Sequence, residues 1–139
     1  GTNATGDPLG NGRDGVHIYK GSNNQIGAAN ANAIRNQTRH GVYIGGAGSS
    51  GNELHYNTIE ANQEDGIRLD SGADGTTIGN ENIQTRNNGG DGLRIDSSNN
   101  AVWSVQTVGN GGNGLSISGD TNLVTTTLTT DNHLGILIS

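Results

Sequence analysis

The sequence predicts an all-β solenoid, one chain wound into about six stacked coils with three short parallel strands per coil. Three observations lead there. Gly followed by an apolar, a variable and an apolar residue recurs at Gly15, Gly41, Gly66, Gly92, Gly114 and Gly135, at spacings of 26, 25, 26, 22 and 21 residues, within the range of solenoid repeats. Every phrase alternates in the two-residue period of a strand with one buried face. The composition fits a narrow stacked core: of 139 residues, 25 are Gly and 20 are Asn, while Leu, Ile, Val and Phe together supply 27.

The recurring phrase is the first strand of each coil. It turns Val16/Ile18, Val42/Ile44, Ile67/Leu69, Leu93/Ile95, Leu115/Ile117 and Ile136/Ile138 inward. Asp14, Asp65, Asp91 and Asn113 directly precede four of the glycines, and such pairs tolerate the positive φ of a tight corner. A second apolar position follows at Ile26, Leu54, Ile78, Val102 and Val124, with Asn24, Asn52, Asn100 and Asn122 two residues before four of these. Stacked coils would align those four amides in a ladder, each donating and accepting between neighbours. A third apolar position precedes the next Gly, at Ile34, Ile59, Ile83, Val105 with Val108, and Leu128. Residues 1–139 thus read as a single domain.

The phrases NTIEANQEDGIRL (57–69) and NNGGDGLRI (87–95) resemble the right-handed parallel β-helix repeats of the pectate-lyase-like superfamily. The opening GTNATGDPLGNGRDGVHI, with SNNQIG at 22–27, is similar to repeats of large bacterial surface proteins in that superfamily. The resemblance covers nearly the whole chain and implies a right-handed parallel β-helix. It does not select a function, because this fold carries lyases, hydrolases, adhesins and inert stalks alike.

Composition removes several classes. No apolar run approaches a membrane span of about 18 residues. Without Cys there is no disulfide framework or thiolate chemistry. A net charge of −6 with seven dispersed basic residues argues against a nucleic-acid partner.

Chemistry is expected on the outside, since aliphatics fill the inside. The outward column of the first strand is His17, Tyr43, Arg68, Arg94, Ser116 and Leu137, and two residues on lie Tyr19, Gly45, Asp70, Asp96 and Ser118. By resemblance to polysaccharide lyases of similar fold, Arg68 or Arg94 would be the base, and Asp70 with Asp96 would hold calcium. The alternative is a ladder of paired charges on neighbouring strands. His17, Tyr19 and Tyr43, with Asp70 and Asp96, are the candidate ligand-binding residues, a polysaccharide being the partner they would suit. No cofactor is otherwise expected. Glu60, Glu64, Asp65 and Asp91 could supply a hydrolase carboxylate pair, and acidic corners explain them equally. His17, His40, His55 and His133 share no metal-ligand spacing and are expected at solvated corners. GGDGLRID lacks the Asp that a calcium β-roll needs at position 94, and VTTTLTT is a single Thr-rich coil rather than an array. Asn3 and Asn36 sit in glycosylation sequons.

A solenoid's terminal coils expose backbone and an apolar cross-section. No capping helix is legible here. The expectation is that the terminal coils self-associate head to tail, or that the chain continues in a longer one, with Leu134 and the outward Leu137 as assembly candidates. The leading functional expectation is a structural extracellular β-solenoid, a surface-filament subunit or the stalk of an adhesin. The rival is a carbohydrate-active or carbohydrate-binding β-helix using the outward Arg/Asp columns.

Overall fold

The computed structural model describes residues 4, 5 and 9–139, and Asn3, the acceptor of the first sequon, lies outside them. The first coil holds β1 (Val16–Tyr19), β2 (Gln25–Ile26) and β3 (Asn32–Arg35); the second holds β4 (Val42–Gly45), β5 (Glu53–Leu54) and β6 (Asn57–Glu60). The third has β7 (Ile67–Leu69) and β8 (Thr77–Arg86), the fourth β9 (Leu93–Ile95) and β10 (Ala101–Val108). The fifth has β11 (Leu115–Ile117), β12 (Leu123–Thr125) and β13 (Leu128–Thr130), and β14 (Ile136–Ile138) begins a further turn. Strands β1, β4, β7, β9, β11 and β14 stack in that order as one parallel sheet, and the remaining strands form the second. The chain is therefore an all-β parallel solenoid of about five turns.

The inward residues of the first strands stack in register, Val16 on Val42 and Ile44 on Leu69. With the second-strand column of Leu54, Ile78 and Val102 they form a core buried throughout the middle coils. Third strands depart from expectation twice. In the third and fourth coils the second and third strands merge into β8 and β10, which bend at left-handed residues, Gly79 and Asn82 in β8 and Ser104 in β10, with a register shift after which the pairing resumes. The third apolar column is also not continuous: Ile34 and Ile59 align with Thr85, Thr107 and Thr129, whereas Ile83 and Val105 align two residues earlier. Leu128 pairs with Gln106 on the outward side and is exposed. Corner residues, which fix the register, override the count of aliphatics here.

Two corners of each coil follow one rule: a left-handed residue, then an amide pointing along the stack. Asn23, Gly51, Gly75, Asn99 and Thr121 have positive φ and precede Asn24, Asn52, Thr76, Asn100 and Asn122. Asn24 Nδ2 donates to Asn52 Oδ1 and Asn100 Nδ2 to Asn122 Oδ1, each at 3.0 Å. Thr76 interrupts the amides, although its N–H still donates to Asn100 Oδ1 at 2.8 Å. The second ladder is longer. Asn36, Ala61, Asn87, Gly109 and Asp131 take the left-handed conformation before Gln37, Asn62, Asn88, Asn110 and Asn132. Asn62, Asn88 and Asn110 each donate both backbone N–H and Nδ2 to the Oδ1 of the next coil, at 2.9–3.1 Å for the first two and 2.8–2.9 Å for Asn110. Buried polar groups must be paired in this way.

Thr85 breaks that accounting. Its buried Oγ1 has no hydrogen-bond partner, and the residues stacked before it in its column are aliphatic. An unpaired buried hydroxyl costs about 1–3 kcal/mol. Thr85→Val is expected to raise stability by about 1 kcal/mol in urea denaturation; a loss of stability would show that the hydroxyl has a partner.

Candidate functional site

The face presented by the first strands carries the chemistry. The residue before each Gly and the outward residue three positions later form a matched pair: Asp14/His17, His40/Tyr43, Asp65/Arg68, Asp91/Arg94, Asn113/Ser116 and Leu134/Leu137. By type, acid is matched with base at three of these, imidazole with phenol, amide with hydroxyl and Leu with Leu. His17 Nδ1 lies 2.8 Å from Asp14 Oδ2, Arg68 Nη1 lies 3.5 Å from Asp65 Oδ2, and the His40 and Tyr43 rings are 5.9 Å apart at 21°.

The first members also form a third, buried ladder. His40 N–H donates to Asp14 Oδ1 at 3.2 Å, Asp65 N–H to His40 Nδ1 at 3.2 Å, Asp91 N–H to Asp65 Oδ1 at 2.8 Å and Asn113 N–H to Asp91 Oδ1 at 2.6 Å. Asp14, Asp65 and Asp91 are thus acceptors for the next coil's backbone. His40, expected at a solvated corner, is only 4 % exposed, because it fills an Asp position in this column.

Burial pushes the Asp91 carboxyl up, against the Asn113 hydrogen bond, and Asp65 adds to the rise. A raised native value contributes stability that is complete below the unfolded carboxyl range and is lost as pH rises through the native value. At neutral pH the ionised form therefore carries a cost. Asp91→Asn keeps the acceptor, as Asn113 does one coil later, and is expected to raise stability at pH 7 by up to about 1 kcal/mol with a flatter acid limb in thermal melts; a large loss would show that the charge itself is needed.

Asp96 is a hub. Arg94 Nε approaches its Oδ2 at 2.9 Å and Arg68 Nη2 at 3.1 Å, and Ser118 Oγ donates to its Oδ1 at 2.8 Å. Burial opposes ionisation of Asp96, but the Ser118 hydrogen bond and the two guanidiniums outweigh it and hold the carboxyl below its ordinary range. The Asp96 hydrogen bond pushes Arg94 up. A base needs a neutral form near working pH, which the Asp96 hydrogen bond disfavours at Arg94, and calcium at Asp96 would compete with two guanidiniums for its oxygens. Tyr43 Oη donates to Asp70 Oδ2 at 3.0 Å, and burial, reinforced by that bond, raises the phenol. The grid of Arg68, Arg94, Asp70 and Asp96 is thus brought together, as mutually paired charges.

At the first two coils the face turns aromatic. His17 stacks on Tyr43 at 4.8 Å and 17°, and Tyr19 follows at 6.4 Å from His17. Gly45 and Gly46 make room: a Cβ on Gly46 would lie 2.6 Å from the Tyr19 ring, and one on Gly45 2.6 Å from the Tyr43 hydroxyl. Tyr19 therefore lies along the backbone with 60 % of its surface open, and Lys20 Nζ sits 5.3 Å from its centroid. Arg13 lines a cavity of about 150 Å³ with Asp14 and His17.

Elsewhere, His55 is held by Gly79 O at 2.7 Å and Glu53 at 3.2 Å, and Glu60 pairs with Arg86 at 2.7 Å and Arg35 at 3.5 Å. Asn36 occupies a left-handed corner at φ 64°. Leu134 and Leu137 are 47 % and 39 % exposed. The amide ladder from Gln37 to Asn132 and the ladder before each Gly were not anticipated as ladders. The signal for the first was available: Asn11, Gln37, Asn62, Asn88 and Asn110 all lie four residues before a phrase Gly.

Among the described residues no three His, Cys, Asp or Glu side chains converge to hold a metal ion, and no helix is long and apolar enough to cross a membrane. The family model described as "Periplasmic copper-binding protein (NosD)" matches residues 1–139. No curated protein and no solved structure matches the chain.

Proposed function

The chain belongs to the NosD family of periplasmic copper-binding proteins, a β-helix family, and from that premise we propose that it is a structural solenoid outside the cytoplasm, a stalk or filament segment of the cell surface. The observation that carries this reading is the continuity of the side-chain columns. Ladders and stacked aliphatics run from coil to coil, and Arg35, Arg39, Arg68, Arg86 and Arg94 are each paired with carboxylates of the same chain. Such a surface suits a rod better than a reaction centre.

Copper takes imidazole, thiolate or thioether ligands. The chain has no Cys or Met. His40 and His55 have both ring nitrogens engaged, and His17 has one committed to Asp14. His133 is exposed and stands apart from the other three in the sequence, and among the described residues no three His, Cys, Asp or Glu side chains converge, so the function proposed here does not run through a copper centre.

Assembly is proposed through the edge that bears β12, β13 and β14, where Leu123, Leu128, Ile136 and Ile138 are exposed; a further coil, from a second copy or a longer chain, would cover it. Negative-stain microscopy at high concentration is expected to show filaments of uniform width that Ile138→Lys abolishes. A monodisperse particle of about 14 kDa would overturn the filament form of this reading.

A second reading, binding of an acidic polysaccharide, is favoured by one observation. Among the described residues, the two cations without a carboxylate partner, Arg13 and Lys20, flank the Tyr19–His17 strip. Sugar rings stack on open aromatic faces. Calorimetry with oligogalacturonate is expected to show binding that Tyr19→Ala and Lys20→Ala each weaken; no heat with the unmodified chain would remove this reading.

A further inference from the structure

We propose that His40 is an acid-sensitive joint between the second and third coils, a rung that loses its acceptor on protonation in a ladder whose other titrating acceptors are carboxylates. The ladder before the phrase glycines needs an acceptor at its first four levels, because the backbone N–H of His40, Asp65, Asp91 or Asn113 points at it from the next coil. Asp14, Asp65 and Asp91 supply carboxylate oxygens, which accept in either protonation state. His40 supplies Nδ1, which accepts the Asp65 N–H only while it carries no proton. That hydrogen bond fixes the neutral tautomer: the proton sits on Nε2, directed at Glu64 Oε2 3.1 Å away.

A proton taken up at Nδ1 would place N–H against N–H at 3.2 Å. The imidazolium then has a competing partner, Asp65 Oδ2, 3.6 Å from Nδ1, and turning toward it leaves the buried Asp65 N–H without an acceptor. The groups facing the ring are Asp14 from the preceding corner, Arg39 and Tyr43 from its own coil, and Glu64 and Asp65 from the following one, with Arg68 on Asp65. Burial lowers the His40 pKa, opposed by Asp65, Glu64 and Asp14 and assisted by Arg39. A lowered native value contributes stability that is present above the unfolded imidazole range, about 6.5, and lost as pH falls through the native value. Tyr43 stacks on both His40 and His17, so opening this joint also disturbs the aromatic strip.

The test is amide hydrogen exchange followed by NMR between about pH 7.5 and about pH 5, corrected for intrinsic rates. Protection of the Asp65 amide is expected to fall at least about tenfold, the equivalent of one hydrogen bond, while the Asp91 and Asn113 amides keep theirs. His40→Asn, which retains an acceptor without a titrating group, is expected to hold Asp65 protection across the range. Constant Asp65 protection in the unmodified chain, or the same acid loss in His40→Asn, would overturn the proposal. So would a ¹⁵N shift showing a proton on Nδ1 at neutral pH, a readout that needs no variant.

Discussion

Asn88→Ala is expected to destabilise the protein by about 3–5 kcal/mol in urea denaturation, a large share of the 5–15 kcal/mol typical of a domain. The side chain is 2 % exposed. Its Oδ1 accepts from Asn62 N at 3.1 Å and Asn62 Nδ2 at 2.9 Å, and its Nδ2 donates to Ile59 O at 3.2 Å and Asn110 Oδ1 at 2.9 Å. Alanine strips partners from buried donors and an acceptor at once, each costing about 1–3 kcal/mol when left unmet. Coils of a solenoid contact only their neighbours, so the damage concentrates between the second and fourth coils. Asn24→Ala, at an exposed position of the other ladder, is expected to cost less than about 1 kcal/mol. Equal effects at the two sites would mean that burial of the ladder is not what matters.

Gly79→Ala is expected to be at least as damaging, above about 3 kcal/mol and sufficient to reduce soluble yield. Gly79 has φ 110°, a conformation that side-chain-bearing residues rarely adopt, and a Cβ there would overlap the carbonyl oxygen of Trp103 in the next coil. Neither atom can move without shifting the β8–β10 ladder, where Gly79 is paired with Trp103. Two controls separate clash from strain. Gly48, at φ 88° with nothing near its Cβ, bears strain alone, and Gly12 has open space and no such φ. Gly48→Ala should cost about 1 kcal/mol and Gly12→Ala nothing measurable by thermal melts. A tolerated Gly79→Ala would place the turn geometry at this corner in error.

Much of the fold was legible because the first strand carries two signals together, Gly at a fixed place and strict alternation. Every inward pair from Val16/Ile18 to Ile136/Ile138 falls in one stack. The third strand was harder. Ile59 lies seven residues before the next Gly and Ile83 nine; the residue that aligns with Ile59 is Thr85, also seven before its Gly, so the count back from Gly holds and the residue type misleads. The candidate site was legible as a set of residues and not as a set of roles. Arg68, Arg94, Asp70 and Asp96 were found by their columns, but the closure of both arginines on Asp96 depends on side-chain reach, across a coil for Arg68 and along the chain for Arg94. His40 was missed as a rung because its type differs from the Asp that recurs there, although its place before Gly41 matches.

Buried side-chain ladders at the corners hold the coils together as one rod. Exchange of the carboxamide protons of Asn62, Asn88 and Asn110 tests it most directly, since side-chain amides are rarely protected unless buried and bonded. The ladder predicts that these protons exchange only with global unfolding, at least about a hundredfold more slowly than those of exposed Asn30. Exchange at the rate of Asn30 would contradict the account.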